Sequence, residues 1–73
     1  MPERGRMKIN LNGQMIELNE KELSVSKFVR LKGLNPERIV IEHNGGILGN
    51  ENWGNTLLRD SDSIVIISFV GGG

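Results

Sequence analysis

Residues 7–12, Met-Lys-Ile-Asn-Leu-Asn, alternate apolar and polar side chains, the period of a strand with one buried face. Asn12-Gly13 follows and predicts a tight hairpin turn. Residues 14–19, Gln-Met-Ile-Glu-Leu-Asn, read as the returning strand, so the two runs form a β-hairpin. A polar connection over residues 19–22 leads to a change of period. Val25, Phe28 and Val29 form an apolar stripe at helical spacing, with Lys27, Arg30 and Lys32 on the polar side. Ser24 is placed to cap this helix, and Leu23 with Phe28 matches a hydrophobic staple across its first turn. Gly33, with Asn35-Pro36 just beyond, stops it after about two turns.

The second half returns to strand signals. Residues 38–43, Arg-Ile-Val-Ile-Glu-His, predict a third strand, with Ile39, Ile41 and His43 on one face and Val40 and Glu42 on the other. Asn44-Gly45-Gly46 breaks it. Without a strand–loop–helix context this is read as a turn and not as a phosphate cradle. Ile47-Leu48 allows only a brief strand. Residues 49–55 are turn-rich, with Trp53 as a plug beneath the loop, and Leu57-Leu58 suits a further short pairing. Residues 59–63, Arg-Asp-Ser-Asp-Ser, form a polar turn into the last apolar run. That run, residues 64–70, reads Ile-Val-Ile-Ile-Ser-Phe-Val, a β-branched and aromatic composition suited to the middle of a sheet. Gly71, Gly72 and Gly73 end the chain.

One amphipathic helix and about five strands pack most economically as a mixed sheet with the helix on one face. Placing the last strand beside the first, and parallel to it, buries it centrally. The expected fold class is therefore α+β, a ubiquitin-like β-grasp. Residues 1–6 are charged, contain Pro and Gly, and are expected to be a disordered extension. Residues 7–70 are the expected β-grasp domain, and residues 71–73 the expected flexible glycine tail.

Composition narrows the function classes. Seventy-three residues make one domain, able to bury only about 60% of its unfolded surface. Nine basic and nine acidic side chains cancel, so no net field favours nucleic acid or an anionic membrane. There is no cysteine, hence no disulfide scaffold, thiolate metal site or thiol nucleophile. His43 is the one histidine; it is read as partly buried at a strand end, and without partners it argues against a metal or triad site. No glycine-rich phosphate loop of the Gly-x-x-x-x-Gly-Lys-Ser/Thr type and no convergent acid–base set are present. The expectation is a cytoplasmic, monomeric protein that is not an enzyme and binds no cofactor or metal of its own.

These residues resemble a family. Met7-Lys8-Ile9 with Leu11-Asn12-Gly13, Ser24 opening a short helix, residues 39–45 (Ile-Val-Ile-Glu-His-Asn-Gly), Trp53, the Asp60-Ser61-Asp62 turn and the Gly72-Gly73 ending are together similar to the ThiS family. Those are the ubiquitin-like sulfur carriers of thiamin biosynthesis, and the similarity runs over residues 7–73. The resemblance implies a protein cosubstrate. Its terminal glycine carboxylate would be adenylated with ATP on an E1-like enzyme and converted to a thiocarboxylate by a cysteine-desulfurase relay. Thiazole synthase would then take up the sulfur. On this chain Gly73 is implied as the modified residue, Gly72 as its required neighbour, and Gly71 as added length in the arm. Three features depart from the family pattern: the third glycine, His43 where an aliphatic residue is usual, and residues 1–6. Two alternatives stay open. One is a sister carrier like the small subunit of molybdopterin synthase; the other is a non-catalytic β-grasp interaction module.

Strand parity suggests where such a protein docks. In the last run Ile64, Ile66 and Ser68 point one way, and Val65, Ile67 and Phe69 the other. Ile64 and Ile66 are assigned to the core with Ile9, Leu11, Val25, Phe28 and Val29. Val65, Ile67 and Phe69 are left as an exposed partner-docking patch, unless Trp53 or its loop covers them.

Overall fold

We describe a computed structural model of the chain over residues 6–69. The expected extension, apart from Arg6, and the expected glycine tail lie outside the described residues. Seven strands and one α-helix follow in order: β1 (Met7–Leu11), β2 (Gln14–Leu18), β3 (Leu23–Ser24), α1 (Val25–Leu31), β4 (Ile39–His43), β5 (Gly46–Leu48), β6 (Leu57–Leu58) and β7 (Ser63–Ser68). Short 3-10 turns occupy Pro36–Arg38 and Asn50–Asn55. The main sheet has five strands in the order β2-β1-β7-β4-β5, and β3 pairs with β6 in a small second sheet. β7 is central: parallel to β1 on one side and antiparallel to β4 on the other. This is the ubiquitin-like β-grasp that the sequence predicts, with one helix on one face of a mixed five-stranded sheet.

Both hairpins turn on Asn-Gly for the same physical reason. Asn12 and Gly13 have φ of 52° and 87°, and Asn44 and Gly45 have 52° and 92°. Two consecutive positive φ values define the two-residue turn whose twist matches the flanking strands; Asn tolerates the first position and Gly the second. The turn sets the register, Leu11 opposite Gln14 and His43 opposite Gly46.

The helix begins and ends on local signals. Ser24 is extended at the N-cap and its hydroxyl accepts from the Lys27 N–H. At the other end the Gly33 N–H bonds to the Arg30 carbonyl and the Leu34 N–H to the Val29 carbonyl, a Schellman closure. With only seven residues, the helix depends on what it packs against. Val25, Phe28 and Val29 are buried against Met7, Ile9, Ile39, Ile41 and Ile64 of the sheet, joined by Leu23, Trp53 and Leu58. Leu11 and Ile66, expected in the core, pack against its edge and are partly buried.

Two differences from the sequence reading have simple causes. The polar connection after β2 does not run straight into the helix: Leu23 and Ser24 first pair with Leu58 and Leu57. Two-residue strands carry no periodicity, so the partner of Leu57-Leu58 was not legible. Residues 50–55 are a 3-10 turn, and the Trp53 indole N–H donates to the Leu48 carbonyl at 3.0 Å.

The core predicts its own sensitivity. Phe28 is 1% exposed, and Phe28→Ala removes its largest fully buried side chain, at a cost of about 3–5 kcal/mol. Ser24→Ala removes one capping bond, costing about 1 kcal/mol. Urea denaturation should rank them in that order. Equal losses would mean that the helix is not anchored through Phe28.

Candidate functional site

The helix covers one face of the sheet, and among the described residues the other face carries no helix. Alternation along β7 puts Ile64 into the core at 0% exposure and turns Val65 and Ile67 to the helix-free side. Phe69, one residue past the strand, keeps the same parity and is held by its N–H to the Arg38 carbonyl at 3.0 Å. Ile67 is 48% exposed and Phe69 49%, whereas Val65 is half-buried. Register adds residues that the sequence reading did not place in the patch. Val40 lies directly opposite Ile67, and Ile47, 67% exposed, stands one strand further out in the row Val65–Glu42–Ile47. Val40 was legible from its parity against Ile39 and Ile41. Ile47 was not, because a three-residue edge strand gives no face assignment.

Nothing among the described residues folds over this face. Trp53 lies on the opposite side, lining a cleft with Ser26, Val29, Arg30, Leu34 and Pro36. The face therefore groups Val65, Ile67 and Phe69 with Val40 of β4, while Glu42 stands between Val65 and Ile47 of β5; exposed apolar side chains grouped in this way mark partner sites on small domains.

The start of β7 is held by polar contacts. Asp62 is 9% exposed; its carboxylate accepts from the His43 Nε2 side at 2.9 Å, from the Asn44 side-chain amide at 3.1 Å and from the Arg59 backbone N–H at 2.9 Å. The Asn44 side-chain oxygen accepts from the Ser63 N–H at 2.8 Å. Two residues earlier, the Asp60 carboxylate accepts from the Lys8 N–H at 2.8 Å, and the Ser61 N–H donates to the Lys8 carbonyl at 2.7 Å. The Asp-Ser-Asp turn thus docks β7 against β1 and β4 at once. His43 is half-buried at the end of β4, as expected, and its partner is this carboxylate. No group of three potential metal ligands occurs among the described residues.

Partial burial alone raises the Asp62 pKa. The hydrogen bonds from His43, Arg59 and Asn44, with the attraction of His43, outweigh that effect and hold it below the ordinary carboxylate value. A carboxylate depressed by folding stabilises fully above its unfolded pKa, about 3.9, and loses that contribution as pH falls through the lower folded value.

Glycines 71, 72 and 73, the implied reactive end, lie outside the described residues. The last described residue, Phe69, is both the end of the bare patch and the start of the path to them.

A small β-grasp domain with an uncovered apolar face beside its C-terminal strand is the class of protein defined by this geometry. The ThiS family model matches residues 9–73, and the chain belongs to the ThiS family. It is 35% identical over 65 residues to the uncharacterized protein ycf40 of Porphyra purpurea, covering 89% of this chain and 90% of that one. It is 33% identical over 69 residues to a thiazole synthase of Magnetococcus marinus, where the match covers 92% of this chain and 20% of that protein. This chain thus corresponds to about a fifth of that relative's length. The crystal structure of the thiamine biosynthesis protein ThiS from Geobacter metallireducens superposes with a TM-score of 0.79 at 29% identity, covering 92% of this chain and 100% of that one. An NMR structure of a thiamine biosynthesis protein from the same organism gives 0.79 at 26% identity, covering 92% and 88%.

Asp62→Asn should lower stability by about 1–3 kcal/mol at neutral pH, because it places a second donor where Asp62 accepts three. The gap between this variant and the parent should shrink as pH falls below about 4, in denaturant titrations at several pH values. A gap independent of pH would mean that the Asp62 charge contributes nothing to folding.

Proposed function

We propose that this chain is a sulfur carrier for thiazole formation in thiamin biosynthesis, a protein cosubstrate and not an enzyme. Membership of the ThiS family, the thiamine-biosynthesis structures and the thiazole synthase that carries a similar stretch all support the reading. The observation that carries it is the path of β7. A central strand, bonded on both flanks, turns Ile67 outward on the helix-free side and is followed in sequence by Phe69 and then Val70-Gly71-Gly72-Gly73.

A carboxylate is a poor acyl donor until its oxygen becomes a good leaving group. On an E1-like enzyme the Gly73 carboxylate attacks the α-phosphate of ATP, and pyrophosphate leaves. The terminal sulfur of a persulfide on a cysteine-desulfurase relay then attacks the acyl carbon and displaces AMP, giving an acyl disulfide. A second thiol on the partner attacks the relay sulfur of that disulfide, is oxidised to a disulfide with it, and releases the thiocarboxylate for thiazole synthase. ATP and every acid or base reside on the partners. This chain supplies reach and docking. Gly71 and Gly72 have no Cβ and can thread a narrow channel. Val65, Ile67 and Phe69, with Val40 and Ile47 beside them, supply the apolar contact that seats the domain at the channel mouth.

Intact-mass spectrometry after incubation with the adenylating enzyme, ATP and a sulfur source should show one oxygen replaced by sulfur. Removing Gly72 and Gly73 should abolish this while leaving the denaturation midpoint unchanged. An unmodified mass, under conditions where a known carrier is converted, rules the proposal out. Retention on thiazole synthase, and not on the large subunit of molybdopterin synthase, distinguishes the pathway. Ile67→Asp should weaken capture by the partner about tenfold or more with the fold intact. Undiminished capture would remove the patch from the docking surface.

A further inference from the structure

The two flanks of β7 end at different places. On the β4 side pairing continues to Ile39 opposite Ser68, and then to the Phe69 N–H on the Arg38 carbonyl. On the β1 side the registered pairs are Asn10 with Ser63 and Leu11 with Ile64. There β1 turns away at Asn12, whose own N–H makes a last backbone bond to the Ile64 carbonyl at 2.9 Å. In an uninterrupted parallel ladder the Asn12 carbonyl would accept from Ile66. The left-handed turn takes that role from the backbone, and the side chain fills it. Asn12 Oδ1 accepts from the Ile66 N–H at 2.7 Å, and Asn12 Nδ2 lies 3.4 Å from the Ile66 carbonyl oxygen. A primary amide has the same donor and acceptor as a peptide unit, so one side chain adds one rung.

We propose that Asn12 is a positioning residue for the C-terminal arm: its amide clamps β7 at Ile66 and so fixes where the chain leaves the sheet. This rests on the carrier reading above and extends it to the geometry of delivery. Among the described residues, β7 past Ile66 is held on its β4 flank alone, so at this end of the strand the loss of one hydrogen bond raises the open population about fivefold. Opening from Phe69 back to Ile66 would lengthen the free arm by about 10 Å, at about 3.4 Å per residue. It would also release Ile67 and Phe69 from the docking face. A longer arm lowers the effective concentration of the carboxylate at its target, roughly as the −3/2 power of length.

The two roles of Asn12, turn and clamp, separate by substitution. Asn12→Gly keeps a residue at ease with positive φ and deletes the amide. Asn12→Asp also tolerates the turn and retains the acceptor for Ile66. Asn44→Gly is the control, a matching turn whose side chain binds the start of β7 at Ser63. In Asn12→Gly, hydrogen exchange of the Ile66 amide should accelerate about fivefold. In steady-state conversion by the adenylating enzyme its KM as protein substrate should rise between about twofold and fivefold at unchanged kcat. Asn12→Asp should restore both values. Asn44→Gly should lower the denaturation midpoint without changing KM. Unchanged exchange at Ile66 overturns the clamp. Faster exchange with unchanged KM reduces Asn12 to a structural residue and overturns the positioning role. If the unsubstituted protein is not converted at all, the carrier reading falls and the positioning role with it.

Discussion

A five-stranded sheet has two faces, and this chain builds one seven-residue helix to cover them. That shortage governs the molecule. Val25, Phe28 and Val29 seal one side against Ile9, Ile41 and Ile64, all nearly inaccessible to solvent. The same alternation that drives those residues inward drives Val65 and Ile67 outward, on a strand too apolar to present a polar face. Apolar exposure normally invites aggregation; here it sits beside the strand that leads to the chain's end, where a partner can use it.

A strand of that composition must still be held in one register, because a slip of one residue would exchange its two faces. The polar residues around β7 supply this. Asp60 and Ser61 fasten to Lys8, Asp62 gathers His43, Asn44 and the Arg59 amide, and the Asn12 and Asn44 side chains each take a β7 N–H. The two Asn-Gly turns are thus more than reversals. Each turns its own hairpin and bonds through its side chain to the central strand between them. Register, face and exit point are set by the same few residues.

What was legible in the sequence follows from range. The Asn-Gly turns, the Ser24 cap, the Gly33 stop and the alternation of β1, β4 and β7 are local, and each lies where the pattern puts it. The place of β7 beside β1 and parallel to it followed from burying the most apolar strand centrally; the places of β4 and β5 did not. The pairing of Leu23-Ser24 with Leu57-Leu58 joins short segments far apart in the chain, and no pattern announces it. The same is true of His43 with Asp62 and of Asn12 with Ile66: both pairs look like turn chemistry until the fold brings them together. On the candidate site, parity correctly turned Ile67 and Phe69 outward. It could not tell that Trp53 would pack on the helix side and leave them uncovered, since a single tryptophan in a loop has no face of its own.

The account stands on the helix-free face being where a partner docks. The direct measurement is an NMR titration of the isotopically labelled protein with thiazole synthase or the adenylating enzyme. Perturbed amides should cluster at Val40, Ile47, Val65, Ile67 and Phe69, while Val29, Leu34 and Trp53 on the helix side stay unmoved. Perturbation centred on the helix and Trp53, with the β7 face silent, would contradict it.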